Sequence, residues 1–267
     1  MAAILPKQKL SVFYFRNSES NGLYEHCFVL CRGLLICLQI FHYKGGGILF
    51  SSPALLNGKQ FSLRRDIVYY ESSDFLETAD SDTLKQIART RELTREYYFS
   101  DYGDIEKRTS ILRELLGGIG ENVLIDTPFH CDYGKNIFLG NDVIINMNCT
   151  FVDNKTIRIG DRVLIASNVQ IYTSSHPVLP QERLVPDWME RQTTFFRTYA
   201  RPIEIENNVW IGGGCILLPG VTIGENSVIG AGSVVTRPVP PNCVAVGNPC
   251  RVIRYFDTDR ERWQHEV

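Results

Sequence analysis

The sequence predicts a mainly β protein built as a parallel β-helix, and three observations carry that prediction. Aliphatic residues fall six apart without a slip at Ile205, Ile211, Leu217, Ile223, Ile229 and Val235. Upstream, three triplets keep the same step: Ile119, Ile125 and Cys131; Leu139, Ile145 and Phe151; Ile159, Ile165 and Ile171. Each triplet starts twenty residues after the last, and Gly120, Gly140 and Gly160 recur at that spacing. A six-residue period suits neither a lone helix, which repeats at about 3.6, nor a lone strand, which repeats at about 2. It suits a coil of three short strands, each pointing one aliphatic side chain inward, with tight corners between them. Stacked coils then bury a continuous column of Ile, Leu and Val.

The remaining elements follow in chain order. Residues 1–70 carry no repeat and no pattern that assigns them a structure, and YKGGGILFSSP (43–53) reads as a turn or linker. A small helical region occupies 71–118. Leu84, Ile87 and Ala88 suggest one apolar face, Ile105, Leu112, Leu115 and Leu116 a second, and Gly117–Gly118 a stop. The coils occupy 119–256. Their rhythm breaks at YTSSHP (172–177) and resumes at IEIENNVWIGGG (203–214), which leaves an excursion over 177–203. The prolines of PVPPNC (238–243) end the repeat, and the segment after them is expected to cover the open end of the column. Residues 257–267 read as a tail.

Composition narrows the function. A net charge of −2, with no long run of one sign, predicts no nucleic-acid groove and no polybasic membrane patch. The longest apolar run, CFVLCRGLLICLQIF (27–41), contains Arg32. It is short for a membrane span and too far from the start for a cleaved signal peptide. None of the eight cysteines forms a CxxC pair. They read as reduced, mostly buried thiols of an intracellular, cytoplasmic protein.

Five stretches together carry a resemblance: PFHCDYGKNI (128–137), YTSSHP (172–177), NNVWIGGG (207–214), PGVTIGENSVIGAGSVVT (219–236) and GNPCRVI (247–253). In order and spacing they resemble the hexapeptide-repeat acyltransferases, and among these the maltose and galactoside O-acetyltransferases. The resemblance covers roughly residues 75–255. It implies a left-handed parallel β-helix, a homotrimer with active sites between neighbouring subunits, and acetyl transfer from acetyl-CoA to a sugar or glycoside hydroxyl, with no metal.

The same resemblance distributes roles. His176 matches the family's general base. A sugar hydroxyl is a weak acid, and an imidazole beside it can take its proton during attack on the thioester. Pro177 biases His176 toward an extended backbone. Asn146 matches the amide that holds the reacting hydroxyl, although a corner asparagine in a left-handed turn is the plain structural alternative. Asp80, Asp132 and Asp153 fall at acceptor-side positions. Asp80 could equally cap a helix, and the other two could be solvated corner carboxylates. Trp210, Gly213, Gly214, Ala231, Ser233, Thr236, Arg237 and Arg251 fall along the donor groove. There an aromatic can pack on the pantetheine arm or on a neighbouring subunit, glycines permit close approach, and arginine can pair with phosphate.

Two departures stand out. The family's glutamate that steadies the catalytic histidine is replaced here by Thr198, so either Glu190 takes over that role, or His176 is held differently, or activity is reduced. The excursion is also longer than the family's, and it carries Trp188, Phe195 and Phe196. Three rivals remain. Zinc carbonic anhydrases of the γ type use the same helix but need three imidazoles, and only His130 and His176 lie among the coils. A non-catalytic trimeric scaffold or sensor that has lost the reaction is the second, and an acyltransferase that uses another acyl-CoA or an amine acceptor is the third.

Overall fold

The computed structural model describes residues 75–76, 81–257, 260 and 262–265, together with six strands between residues 11 and 61. The chain divides into two compact units, 1–71 and 72–267. In the first, Ser11–Asn17, Tyr24–Cys31, Leu34–His42 and Ile48–Phe50 form an antiparallel sheet in sequential order, and Ala54–Leu56 pairs with Lys59–Phe61. The apolar run 27–41 is thus shared between two adjacent strands, Phe28 opposite Cys37. The expected turn at 43–53 contains the strand Ile48–Phe50. No helix among the described residues is long and apolar enough to cross a membrane.

The second unit is the parallel β-helix that the six-residue period predicts. Its first face stacks Gly118–Ile119, Ile137–Leu139, Ile157–Ile159, Ile203–Ile205 and Thr222–Ile223. Its second face stacks Leu124–Ile125, Ile144–Ile145, Leu164–Ile165, Trp210–Ile211, Val228–Ile229 and Cys243–Val246. Its third face stacks Phe129–Cys131, Cys149–Val152, Gln170–Tyr172, Ile216–Leu217 and Val234–Val235. The chain visits the faces in that order, once per coil. The register places Ile125 over Ile145, Ile165, Ile211 and Ile229, and all five are completely buried. Each such side chain contributes about 1.5–3 kcal/mol through removal from water.

Corners turn through left-handed residues. On the corner between the first and second faces, Asn208, Asn226 and Asn242 all have positive φ, and their amides bond one to the next down the stack. Asparagine suits this place because its short polar side chain tolerates the conformation and bonds locally. Gly120 answers a different need: a Cβ there would lie 2.5 Å from the Gly140 carbonyl oxygen of the next coil.

Helices α1 (Ser81–Phe99) and α2 (Ile105–Leu115) close the first coil. Their buried faces match the expected ones in part: Leu112, Leu115 and Leu116 are buried as expected. Thr90, Leu93 and Tyr97 of α1 and Arg108, Ile111, Leu112 and Leu115 of α2 turn inward, while Leu84 and Ile105 are exposed. The reason is polar docking. Tyr97 Oη and the Arg108 guanidinium both donate to the Ile125 carbonyl, and Thr90 Oγ1 donates to that of Tyr133. Gly117 serves close approach, since a Cβ would meet the Lys135 carbonyl oxygen at 2.2 Å. The C-terminal segment lies on the last strand of the second face. Arg251–Asp257 pairs antiparallel with Cys243–Val246, and Arg262–His265 pairs with Arg251–Asp257, so both lengthen the second face.

Candidate active site

His176 stands where the third face breaks off. Ser174–Ser175 leaves the coil and pairs antiparallel with Thr198–Ala200, which returns from the excursion and pairs in turn with Phe75–Leu76. The imidazole is exposed, and its Nδ1 lies 2.9 Å from the Arg197 carbonyl oxygen. A carbonyl can only accept, so Nδ1 carries the proton and in the neutral ring Nε2 keeps the lone pair. Phe196 fixes the ring plane edge to face, with centroids 5.0 Å apart. The group that orients the imidazole is therefore a backbone carbonyl, neither Glu190 nor Thr198. Nothing in residue identity advertises such a partner, which is why sequence reasoning missed it.

Arg183, at the end of the short helix α3 (Pro180–Arg183), ties this arrangement together. Its guanidinium donates to the carbonyls of Pro177 and Val178, directly after the histidine. Its own carbonyl accepts the Arg197 N–H at 2.7 Å. Both sides of His176 thus hang on one residue. Arg183→Ala is expected to lower kcat about tenfold to a hundredfold, with the KM for the acyl donor unchanged and partial recovery in Arg183→Lys. A fall confined to KM in steady-state kinetics would contradict this positioning role.

Asn146 lies on the corner between the second and third faces. Its φ is not positive; the left-handed corner residue is Asn148. Nδ2 of Asn146 donates to the Ile165 carbonyl at 3.0 Å, which fixes the amide and leaves its second N–H and its Oδ1 exposed. Gly213, Gly214 and Ala231 follow on the same corner in later coils, and Gly214 has positive φ with open space where a Cβ would point. Thr236, Arg237 and Arg251 are exposed, but Thr236 and Arg237 lie past the third face, on the corner that His176 occupies. Trp210 is 52% exposed on the second face, in register with Leu164 and Val228.

Two expected contact residues point inward instead. Ser233 is fully buried: its hydroxyl donates to the Gly230 carbonyl and accepts the Gly247 N–H. Asp153 is also fully buried. Its Oδ1 accepts the N–H groups of Asp132 and Tyr133, both at 2.9 Å, while Oδ2 has no partner. Each side chain satisfies corner N–H groups that have no strand partner, so neither is presented to a ligand. Asp80 lies outside the described residues. Asp132 pairs with Arg91 at 3.0 Å and lines a cleft of about 280 Å³ with Thr94, His130 and Thr150. His176 does not line that cleft. Asn154, next to Asp153, was not anticipated: it accepts from the Ser174 hydroxyl at 2.6 Å and donates to Tyr133 Oη, linking the corner to the segment before His176.

Burial pushes the Asp153 carboxyl up to about 6, against the pull of its two N–H donors. Raised in the folded state, it stabilises fully below the ordinary aspartate value near 3.8, and that stability is lost as pH rises through 6. The displacement is worth about 3 kcal/mol. Chemical denaturation at pH 4 and pH 8 is expected to show that loss in the native protein and its absence in Asp153→Asn. Equal pH slopes in the two proteins would count against it. Cys131, Cys149, Cys215, Cys243 and Cys250 are buried free thiols, and burial raises that of Cys149 to about 11, which removes it as a nucleophile.

Comparison with known proteins identifies the scaffold. The model of the "Bacterial transferase hexapeptide (six repeats)" family matches residues 202–237, the stretch where the six-residue step runs unbroken. The galactoside O-acetyltransferase of Escherichia coli K12 is 44% identical over 174 residues, 65% of this chain and 80% of that protein. The chain belongs to the hexapeptide-repeat acetyltransferases. A maltose O-acetyltransferase from Clostridium difficile 630 superposes on this acetyltransferase with a TM-score of 0.64 at 44% identity, covering 70% of this chain and 94% of that one. A galactoside acetyltransferase in complex with coenzyme A gives 0.64 at 38% identity, over 73% and 92%. Acetyltransferase VCA0836 of Vibrio cholerae, in a complex with acetyl-CoA, gives 0.61 at 36% identity, over 68% and 93%.

Proposed function

We propose that this acetyltransferase moves the acetyl group of acetyl-CoA to a hydroxyl of a sugar or glycoside, by direct attack in a ternary complex with His176 as general base. The Nδ1 contact carries the reading: with Nδ1–H committed to the Arg197 carbonyl, the neutral ring of this exposed residue keeps its lone pair on Nε2, where a base is needed. Nε2 takes the hydroxyl proton as the oxygen bonds to the thioester carbon. The carbonyl electrons move onto oxygen, where a backbone N–H of a coil stabilises them. Collapse breaks the C–S bond, and the thiolate leaves with the proton from the imidazolium. The free N–H of Asn146 is suited to hold the attacking oxygen.

The donor and acceptor follow the relatives and solved neighbours, whose names include galactoside and maltose acetyltransferases and complexes with coenzyme A and acetyl-CoA. Gly213, Gly214 and Ala231 would line the donor groove, and Asp132 would meet the acceptor. A homotrimer is part of the proposal. Ile144, Leu164 and Trp210 form an exposed apolar row down the second face, the kind of surface that a neighbouring copy covers. Buried free thiols suit a reducing compartment, the cytoplasm. The test is thiol release from acetyl-CoA across mono- and disaccharides. Release stimulated by a sugar supports the reading; binding of acetyl-CoA without stimulation by any sugar would remove the sugar acceptor.

A further inference from the structure

The Arg197 carbonyl, the Arg183 guanidinium and the strand Thr198–Ala200 all belong to the excursion, so they fix the imidazole within the loop that carries it. A base must also be fixed against the column. Tyr133, Asn154 and Ser174 occupy the corner after the third face in three successive coils. The Ser174 hydroxyl donates to Asn154 Oδ1 at 2.6 Å, and Asn154 Nδ2 donates to Tyr133 Oη at 3.2 Å. The Tyr133 carbonyl accepts from Thr90 Oγ1 at 2.8 Å and from Gln86 Nε2 at 2.9 Å, both on α1. That helix also carries Arg91 and Thr94, which line the cleft beside Asp132.

The ladder Asn208, Asn226 and Asn242 repeats one residue through regular coils. This second ladder uses three different residues and ends where the coil opens. The chain is regular up to Thr173, whose buried hydroxyl donates to the Val152 carbonyl and accepts the Lys155 N–H. Ser174 comes next, so its bond to Asn154 sets the direction in which the chain leaves the column, two residues before His176. Tyr133, Asn154 and Ser174 are half-buried, where water does not simply replace a lost partner. We infer that Asn154 is a positioning residue for the base: through Ser174 it holds the root of the His176 segment on the column, and through Tyr133 it ties that root to the helix walling the cleft. The inference rests on His176 as the base and deepens that reading. A displacement of about 1 Å at a base can cost about a hundredfold in rate, so a tie remote from the reacting atoms is felt there.

Steady-state kinetics of Ser174→Ala, Asn154→Ala and the double variant test this, with His176→Ala alongside. Each single variant is expected to lower kcat about threefold to thirtyfold, with the KM for acetyl-CoA within about twofold of native. The double variant is expected to be no slower than the slower single one, because both lose the same bond. Ser174→Thr keeps the hydroxyl and is expected to recover kcat to within about threefold of native. A corner that served stability alone would lower the melting temperature and leave kcat in place. An unchanged kcat in Ser174→Ala, a loss confined to KM, losses that multiply in the double variant, or a Ser174→Thr no faster than Ser174→Ala overturns the positioning role. Should Asn154→Ala fail to fold, Ser174→Ala and Ser174→Thr decide by themselves, since they differ in the one hydroxyl that makes the bond. The two readings fail separately. A native rate in His176→Ala removes the base and the inference with it; a crippled His176→Ala beside a native rate in Ser174→Ala removes the inference and leaves the base.

Discussion

Replacing His176 by alanine is expected to lower kcat by about two to four orders of magnitude, the usual share of a positioned general base. The KM for acetyl-CoA is expected to stay within about threefold, because the imidazole meets the acceptor and not the donor. The size of the effect follows from the arrangement. Without Nε2 the sugar hydroxyl must attack while still carrying its proton, or lose it to water that the bound substrates displace. Alanine also leaves the Arg197 carbonyl without its donor, but that oxygen lies beside an exposed position and water replaces the bond. Loss of activity therefore reports the lost base and not a collapsed loop. A circular dichroism melt matching the native protein checks that point. A His176→Ala enzyme that keeps a third or more of native kcat would remove the base assignment.

The coils were legible because their inward residues obey one rule. A side chain that enters the column must be aliphatic, and Ile125, Ile145, Ile165, Ile211 and Ile229 announce it by spacing alone. The same rule explains the failures. A resemblance gives the position of Asp153 and Ser233 but not the direction in which they point. Both fall where a corner needs an inward acceptor, so both are spent on backbone N–H groups. In the helices, amphipathic spacing marked the buried Leu112, Leu115 and Leu116 but also the exposed Leu84 and Ile105, and it missed Thr90, Tyr97 and Arg108, which turn inward to bond to carbonyls. Helical periodicity carries no trace of a tyrosine hydroxyl that needs a carbonyl. The hold on His176 was illegible for a related reason, since the carbonyl of Arg197 would be supplied by any residue at that position. What mattered was the loop geometry set by Arg183.

Mixing two impaired variants is expected to restore activity. Asn146 and His176 lie on different corners of the β-helix, with the third face between them. The strand Cys149–Val152 that separates these corners has four residues and spans about 13 Å. One acceptor hydroxyl cannot lie within hydrogen-bond reach of both side chains in the same chain. In a cyclic trimer each site can take Asn146 from one copy and His176 from its neighbour. Asn146→Ala alone is expected to lower kcat about tenfold to a hundredfold. Coexpression of Asn146→Ala and His176→Ala under different affinity tags, followed by purification through both tags, isolates mixed trimers. Whether the composition is two to one or one to two, one junction in three pairs an intact asparagine with an intact histidine, so activity should recover to about a third of native. Activity equal to the average of the two separate variants would mean that Asn146 and His176 do not meet across an interface. The acceptor would then have to be held within one chain.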